Sequence, residues 1–385
     1  MEAREMVGEI IDRCLGIWKD PYDHARSLKE RGQRPLAYFC SYAPEEIMHA
    51  AGFTPVRLVG MPRNIGAADA HLQAYCCAVA RSDLDMALEG ELDWLEGAVF
   101  VQTCDTMMRL SDIWRLNTSF PFHGDLSLPV RMGEPVSLDY LREELASFQR
   151  ALEEYRGAPI APEDLEGSIE TYNRNRRLAE EVYRLRRERP GVLGGLEGTA
   201  CVVAGLWMRK EEHNSLLEEL LEALDASDGE AGSGEDRPTP LFAAGSVCTT
   251  PDLFELVREL RADIVDDDFC CGHRYIEGQV EPDGRDPLER LAERLSGRIN
   301  CPAKHSAVEE RASWLVGRMR ACGAAGLVLF LQNFCEPWLF EVPFLKERMQ
   351  EEGFPVLVLE SDLQSFSRGQ LRTRLQAFLE TIRGV

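Results

Sequence analysis

LVLFLQNFCEPWLFEVPFLKERMQEEGFPVLVLE, residues 327–360, decides the fold class. Leu327 to Leu331 is an uninterrupted apolar run, which is how a strand buried on both faces reads. An amphipathic helix is predicted over roughly Pro343 to Glu352, Gly353 stops it, and Phe354 to Glu360 is a second buried strand. Strand, helix and strand in that order form a crossover unit of a parallel sheet. Open α/β sheets bind ligands beyond the carboxyl ends of their strands, and there the chain places Cys335.

The same pattern recurs upstream. Ala98 to Val101 ends in Gln102-Thr103-Cys104-Asp105 before a helical pattern over Thr106 to Leu116, and Asp263 to Val265 runs into DDDFCCG, residues 266–272. Pro35 to Phe39 ends at Cys40, ahead of a helix opened by Pro44 with Glu45 and Glu46 in its first turn. Pro55 to Val59 is the next strand. Tyr75-Cys76-Cys77 precedes a helix from about Ala78, a setting that lowers a thiol pKa and favours the thiolate. A second loop, NCPAKHS at 300–306, carries Cys301, Lys304 and His305.

The expected fold is therefore α/β: two Rossmann-like domains, each a doubly wound, mostly parallel four-stranded sheet, with additional helices and the cysteines between them. At 385 residues the chain is long enough for both. Residues 1–165 form N-terminal helices and the first α/β domain, closed by a passage marked by Pro121, Pro129 and Pro135. Residues 166–237 form a helical connection that runs into the polar stretch Asp225 to Pro240, and residues 238–385 form the second α/β domain. The Arg174, Arg176 and Arg177 cluster reads as helix surface, and Gly194-Gly195 as a loop.

A formal net charge of −23 argues against nucleic acid and anionic membrane as partners. No apolar run approaches the roughly 18 residues of a membrane span, and the chain is expected to be cytoplasmic. Its twelve cysteines are then expected to be thiols rather than disulfides. Cys14, Cys201, Cys248 and Cys322 lie in apolar helix-like or strand-like contexts and read as core. The other eight lie in loops. Zinc sites favour CxxC or CxxxC pairs, of which there are none, and the adjacent pairs Cys76-Cys77 and Cys270-Cys271 suit one ion poorly. A cysteine nucleophile with His273 or His305 as base leaves most of the loop cysteines unexplained. Iron–sulfur ligation accounts for thiolates delivered from several strand ends. No GxGxxG or GxxxxGK[ST] stands at a strand-to-helix turn, so no nucleotide or phosphate cradle is expected.

As a set, CSYAPEEIMHAAG at 40–52, TCDTMMR at 103–109, DDFCCGHRY at 267–275, CPAKHS at 301–306, FCEP at 334–337 and GQLRTRLQAFLE at 369–380 resemble the 2-hydroxyacyl-CoA dehydratase / benzoyl-CoA reductase family. The resemblance runs from about Arg34 to Glu380. It implies a [4Fe-4S] cluster held by Cys77, Cys104 and Cys335, with Cys77 preferred to Cys76 because Arg81-Ser82 follows at the family spacing. It also implies an ATP-hydrolysing iron–sulfur activator as electron donor, a homologous second subunit or homodimer, and a CoA thioester substrate that loses a 2-hydroxyl group through a ketyl radical or has an aromatic ring reduced. Cys40, Cys270 and Cys301 bring the motif cysteines to six, as in related double-cubane proteins, so an [8Fe-9S] cluster reducing small molecules is the alternative, along with a non-catalytic electron-transfer subunit. Glu46 is the candidate acid, if burial raises its pKa. Lys304, His305 and Arg274 are candidates for the anionic parts of CoA.

Overall fold

The computed structural model describes residues 2–189, 191–227, 237–298, 301–304, 308–363 and 367–384. The first sheet holds β1 (Pro35–Tyr38), β2 (Thr54–Arg57), β3 (Gly97–Gln102) and β4 (Phe122–Ser127). The second holds β5 (Thr239–Gly245), β6 (Ala262–Asp268), β7 (Leu327–Gln332) and β8 (Val356–Ser361). Every pairing is parallel, and the spatial orders β2-β1-β3-β4 and β6-β5-β7-β8 repeat one topology. Each sheet reverses its winding between its first and third strands. That is the topological switch point, where α/β sheets open a crevice.

Alternation along the strands sorts the core. Ala98 and Phe100 of β3 share one cluster with Val328 and Phe330 of β7, so one face of each sheet contributes to a common core. Val99 and Val101 face a second cluster, and Leu327, Leu329 and Leu331 a third. Helices Glu2–Lys19, Ala78–Leu88, Gly195–Val203 and Lys210–Ala226 fill the common core, where Cys14, Trp18, Cys201 and Leu217 are buried. Helix Pro287–Gly297, although it follows β6 in sequence, packs with helix Pro135–Arg156 over the first sheet.

Three consecutive carboxylates, Asp266, Asp267 and Asp268, are fully buried at the end of the edge strand β6. Each has a guanidinium beside it: Arg318 at 2.7 Å from Asp266, Arg186 at 3.6 Å from Asp267, and Arg274 at 2.8 Å from Asp268. The Tyr183 hydroxyl also donates to Asp267 at 2.6 Å. Arg186 reaches across the strand edge and donates to the Ile264 carbonyl at 2.7 Å, so helix Pro162–Glu188 covers an edge that would otherwise be open for pairing.

Several expectations are corrected. The helix after β7 runs Glu336–Glu351, with Pro337 in its first turn and Pro343 inside it; Pro343 is not its start. β4 occupies the stretch read only as a proline-marked passage, and its alternating burial at Phe122, Gly124 and Leu126 is the overlooked period-2 signal. Arg176 is buried; Arg174 and Arg177 are exposed as expected. Gly195 opens a helix instead of lying in a loop. Asn300, His305, Ser306 and most of the Asp225 to Pro240 stretch lie outside the described residues. Among the described residues no helix is long and apolar enough to cross a membrane.

Gly195 lets helix Gly195–Val203 approach β6, because a Cβ there would stand 2.1 Å from the Ile264 carbonyl oxygen. Gly195→Ala is expected to destabilise the protein by about 1–3 kcal/mol. Gly16→Ala, in helix Glu2–Lys19 with nothing within 4 Å of the added methyl, should stabilise it by roughly 0.5–1 kcal/mol. Thermal unfolding midpoints of the two variants, moving in opposite directions, check both.

Candidate metal centre

The carboxyl ends of β1, β3, β6 and β7 lead into Cys40, Cys104, Cys270 and Cys335. These four line one cavity together with Cys77 and Cys301. Its volume is about 600 Å³, within the ~300–1,000 Å³ usual for a bound small molecule or cofactor. Of the adjacent pairs, Cys77 and Cys270 line the cavity, while the Cys271 thiol is buried and donates to the Cys248 carbonyl at 3.6 Å. Cys14, Cys201 and Cys248 are buried in the common core, and Cys322 is half-buried.

Cys77, Cys104 and Cys335 share a local geometry. Each is the N-cap of a helix: Ala78–Leu88, Asp105–Asn117 and Glu336–Glu351 respectively. Burial pushes the Cys77 thiol up to about 11 and the Cys104 thiol up to about 12, while backbone amides at Ala80 and Met107 pull in the opposite direction. Burial also raises Cys335 strongly, against the amide of Trp338. The expected thiolate-favouring effect of the helix end is therefore present but outweighed by burial. Deprotonation at these sites needs positive charge close to the sulfurs.

Cys40, Cys270 and Cys301 have cationic neighbours. Arg57, buried at the end of β2, donates to both the carbonyl and the sulfur of Cys270, the latter at 2.9 Å. The indole of Trp207 fixes the arginine by donating to its carbonyl at 2.7 Å. Lys304 is buried in the cavity wall, donating to the carbonyls of Gln102 at 3.3 Å and Leu128 at 3.4 Å. Arg274 also lines the cavity, tied to Asp268 and the Gly245 carbonyl, with its Nη1 lacking a hydrogen-bond partner. Lys304 and Arg274 are thus interior cations of the cavity wall, close to thiols.

Glu46 is not among the cavity-lining residues. It is buried and pairs with Arg176, which is in turn held by Asn173 at 3.0 Å. Burial alone would raise its carboxyl, but the Arg176 and Arg294 guanidiniums outweigh burial and leave it below its ordinary value, so the rise on which its role as an acid was conditional is absent. Its neighbour Glu45 accepts from the Tyr275 hydroxyl at 3.1 Å, so Glu45 ties helix Glu45–Ala50 to a residue that follows β6, and Glu46 ties it to helix Pro162–Glu188. His273 is buried beside Arg318 and Tyr183 and does not line the cavity.

Three features escaped the sequence reading. Glu341 lines the cavity and accepts from Arg311 at 2.7 Å, and burial raises its pKa despite that partner. A helix taken to start at Pro343 leaves it out. Phe334, Phe340 and Phe344 line the cavity yet stay 45%, 76% and 59% exposed, which places an aromatic rim at its mouth. Phe334 also has φ of 63°, a strained position for a bulky residue, directly before Cys335. The third is Arg57. Among the described residues no group of three or more His, Cys, Asp or Glu side chains is placed to hold a metal ion.

The profile of the family described as 2-hydroxyglutaryl-CoA dehydratase, D-component, matches residues 40–382. The chain is 30% identical to a benzoyl-CoA reductase subunit of Thauera aromatica, covering 97% of this chain and 98% of that protein. It is 25% identical to the (R)-phenyllactyl-CoA dehydratase beta subunit of Clostridium sporogenes, covering 96% and 99%. With the beta subunit of (R)-2-hydroxyglutaryl-CoA dehydratase from Acidaminococcus fermentans the identity is 24%, over 98% of this chain and all of that protein.

Arg176→Met strands the Glu46 carboxylate and is expected to cost about 3–5 kcal/mol, most of which Glu46→Gln in the same chain should restore. The folded pKa of Glu46 lies below its ordinary 4.5, so its contribution is present above that pH and is lost as pH falls through the folded value. Urea unfolding across pH 3–7 should therefore show a steeper acid loss for wild type than for the double variant.

Proposed function

The chain belongs to the 2-hydroxyglutaryl-CoA dehydratase D-component family, and we propose that it is the iron–sulfur subunit of a dehydratase or benzoyl-CoA-reductase-like enzyme acting on a CoA thioester. The observation that carries this reading is the convergence of six motif cysteines on one cavity. In it Cys77, Cys104 and Cys335 hold a [4Fe-4S] cluster, with the three helix N-termini supplying amides to the sulfurs. Such a cluster supplies one-electron transfer at low potential. An ATP-hydrolysing activator delivers the electron, and a second subunit completes the enzyme, in keeping with relatives that are themselves named as subunits.

The chain's own groups suit that chemistry. Phe334, Phe340 and Phe344 offer an apolar, aromatic entrance that takes an acyl group and excludes water. Glu341 lines the cavity wall with its carboxyl raised by burial, the direction that suits an acid that protonates a leaving hydroxyl or a reduced ring. A second reading is favoured by one observation: Cys40, Cys270 and Cys301 line the same cavity as the first three, with Arg57, Arg274 and Lys304 beside them. Six thiols fit an [8Fe-9S] double cubane.

Anaerobically purified protein is expected to hold about four irons per chain in the first reading and about eight in the second, with matching acid-labile sulfide. Stoichiometric zinc without iron would contradict both. Cys104→Ala should abolish cluster assembly, whereas Cys322→Ala should keep full iron and cost of order 1 kcal/mol. Glu341→Gln is expected to keep its iron while slowing activator-dependent water loss from 2-hydroxyacyl-CoA thioesters, or ring reduction of benzoyl-CoA, by about 10²-fold or more.

A further inference from the structure

The two sets of three cysteines sit in opposite electrostatic settings. Around Cys77, Cys104 and Cys335 the positive charge is that of helix ends, each equivalent to about half an elementary charge, with Lys304 in addition facing Cys104. Asp105 and Glu336, the first residues of two of those helices, are acids that line the same cavity and offset it. Around Cys40, Cys270 and Cys301 the positive charge is whole.

Arg57 and Lys304, 2% and 4% exposed, differ from the other buried cations nearby. Arg186 and Arg274 stand beside Asp267 and Asp268, and Arg311 beside Glu341. Among the described residues neither Arg57 nor Lys304 has a carboxylate partner: Arg57 binds the carbonyl and sulfur of Cys270, and Lys304 binds two carbonyls. The groups that face them electrostatically are Cys270, the Tyr38 hydroxyl, Cys271 and Cys40 for Arg57, and the thiols of Cys40, Cys301 and Cys104 for Lys304. A buried cation without a counter-charge is strongly disfavoured, so this wall is built for an anion.

We propose that Arg57 and Lys304 are positioning residues that make the Cys40, Cys270 and Cys301 side of the cavity the side on which an added electron resides. This rests on the six-thiolate reading above. Hydrogen bonds and positive charge at a cluster's sulfurs raise its reduction potential, and here a guanidinium meets one sulfur directly at 2.9 Å. The electron comes from an external low-potential donor, which is oxidised; no bond breaks and no proton moves. The Cys77, Cys104 and Cys335 side, with half-charges and two acids, is the harder side to reduce.

The test is reductive titration with dithionite of anaerobically reconstituted full-length protein, followed by electron paramagnetic resonance, with iron and sulfide counted on the same samples. On the six-thiolate reading wild type carries about eight irons and reduces in two unequal steps. Arg57→Gln and Lys304→Gln should each lower the upper step, by about tenfold in the reduction equilibrium or ~59 mV for one electron, and leave the lower step within a smaller shift. Arg57→Lys should restore most of the difference, which a purely structural role would not require. If Arg57→Gln fails to assemble, Lys304→Gln carries the same expectation alone. About four irons in wild type, kept in Cys270→Ser, would overturn the six-thiolate reading and the proposal with it. About eight irons with an upper step unmoved in the Gln variants would overturn the proposal and leave the reading intact.

Discussion

Parallel pairing is the constraint from which the rest follows. Parallel strands are joined only by crossovers that return the chain to the same end of the sheet, so every strand's carboxyl end lies on one edge. Two sheets with the same order, β2-β1-β3-β4 and β6-β5-β7-β8, therefore each present one edge and one switch point. Cys40 and Cys104 follow the two strands flanking the first switch point, and Cys335 follows one of the two flanking the second. Convergence on one cavity is thus a consequence of topology and of where the sheets pack, and the loops only adjust it.

The interior is electrically crowded for a chain that carries so much net negative charge. Asp266, Asp267 and Asp268 point alternately to the two faces of β6, and arginines meet them from helices on both sides. The Glu46–Arg176 pair and the Glu45–Tyr275 hydrogen bond do the same between the first sheet's short helix and the elements around it. Such pairs are demanding in geometry and unforgiving of a missing partner. They specify how the layers register, while the common apolar core supplies most of the driving force.

What the sequence made legible has a physical reason. Apolar runs such as Leu327 to Leu331 announce doubly buried strands, and a cysteine just beyond such a run is placed by topology alone, so the α/β class and the strand-end thiols could be read directly. Pro343 misled because a proline inside a helix looks locally like the start of one; the true start is set by Cys335 as N-cap with Pro337 behind it. Arg57, Arg176 and Lys304 were invisible as interior residues because a charged side chain reads as surface unless its partner is known. Those partners stand far away in sequence: Arg57 meets Cys270 across 213 residues, and Arg176 meets Glu46 across 130.

The crossing of helix Pro287–Gly297 onto the first sheet has a bearing on biosynthesis. Cys77 and Cys104 leave the ribosome early, yet the cavity they line is closed only after Cys301 and Cys335 have been made and that helix has folded back. The half-made chain consequently passes through a stage in which its first thiols are formed and uncovered. Oxidation of those thiols is a hazard of that interval rather than of the finished fold, in which the later-made residues enclose them.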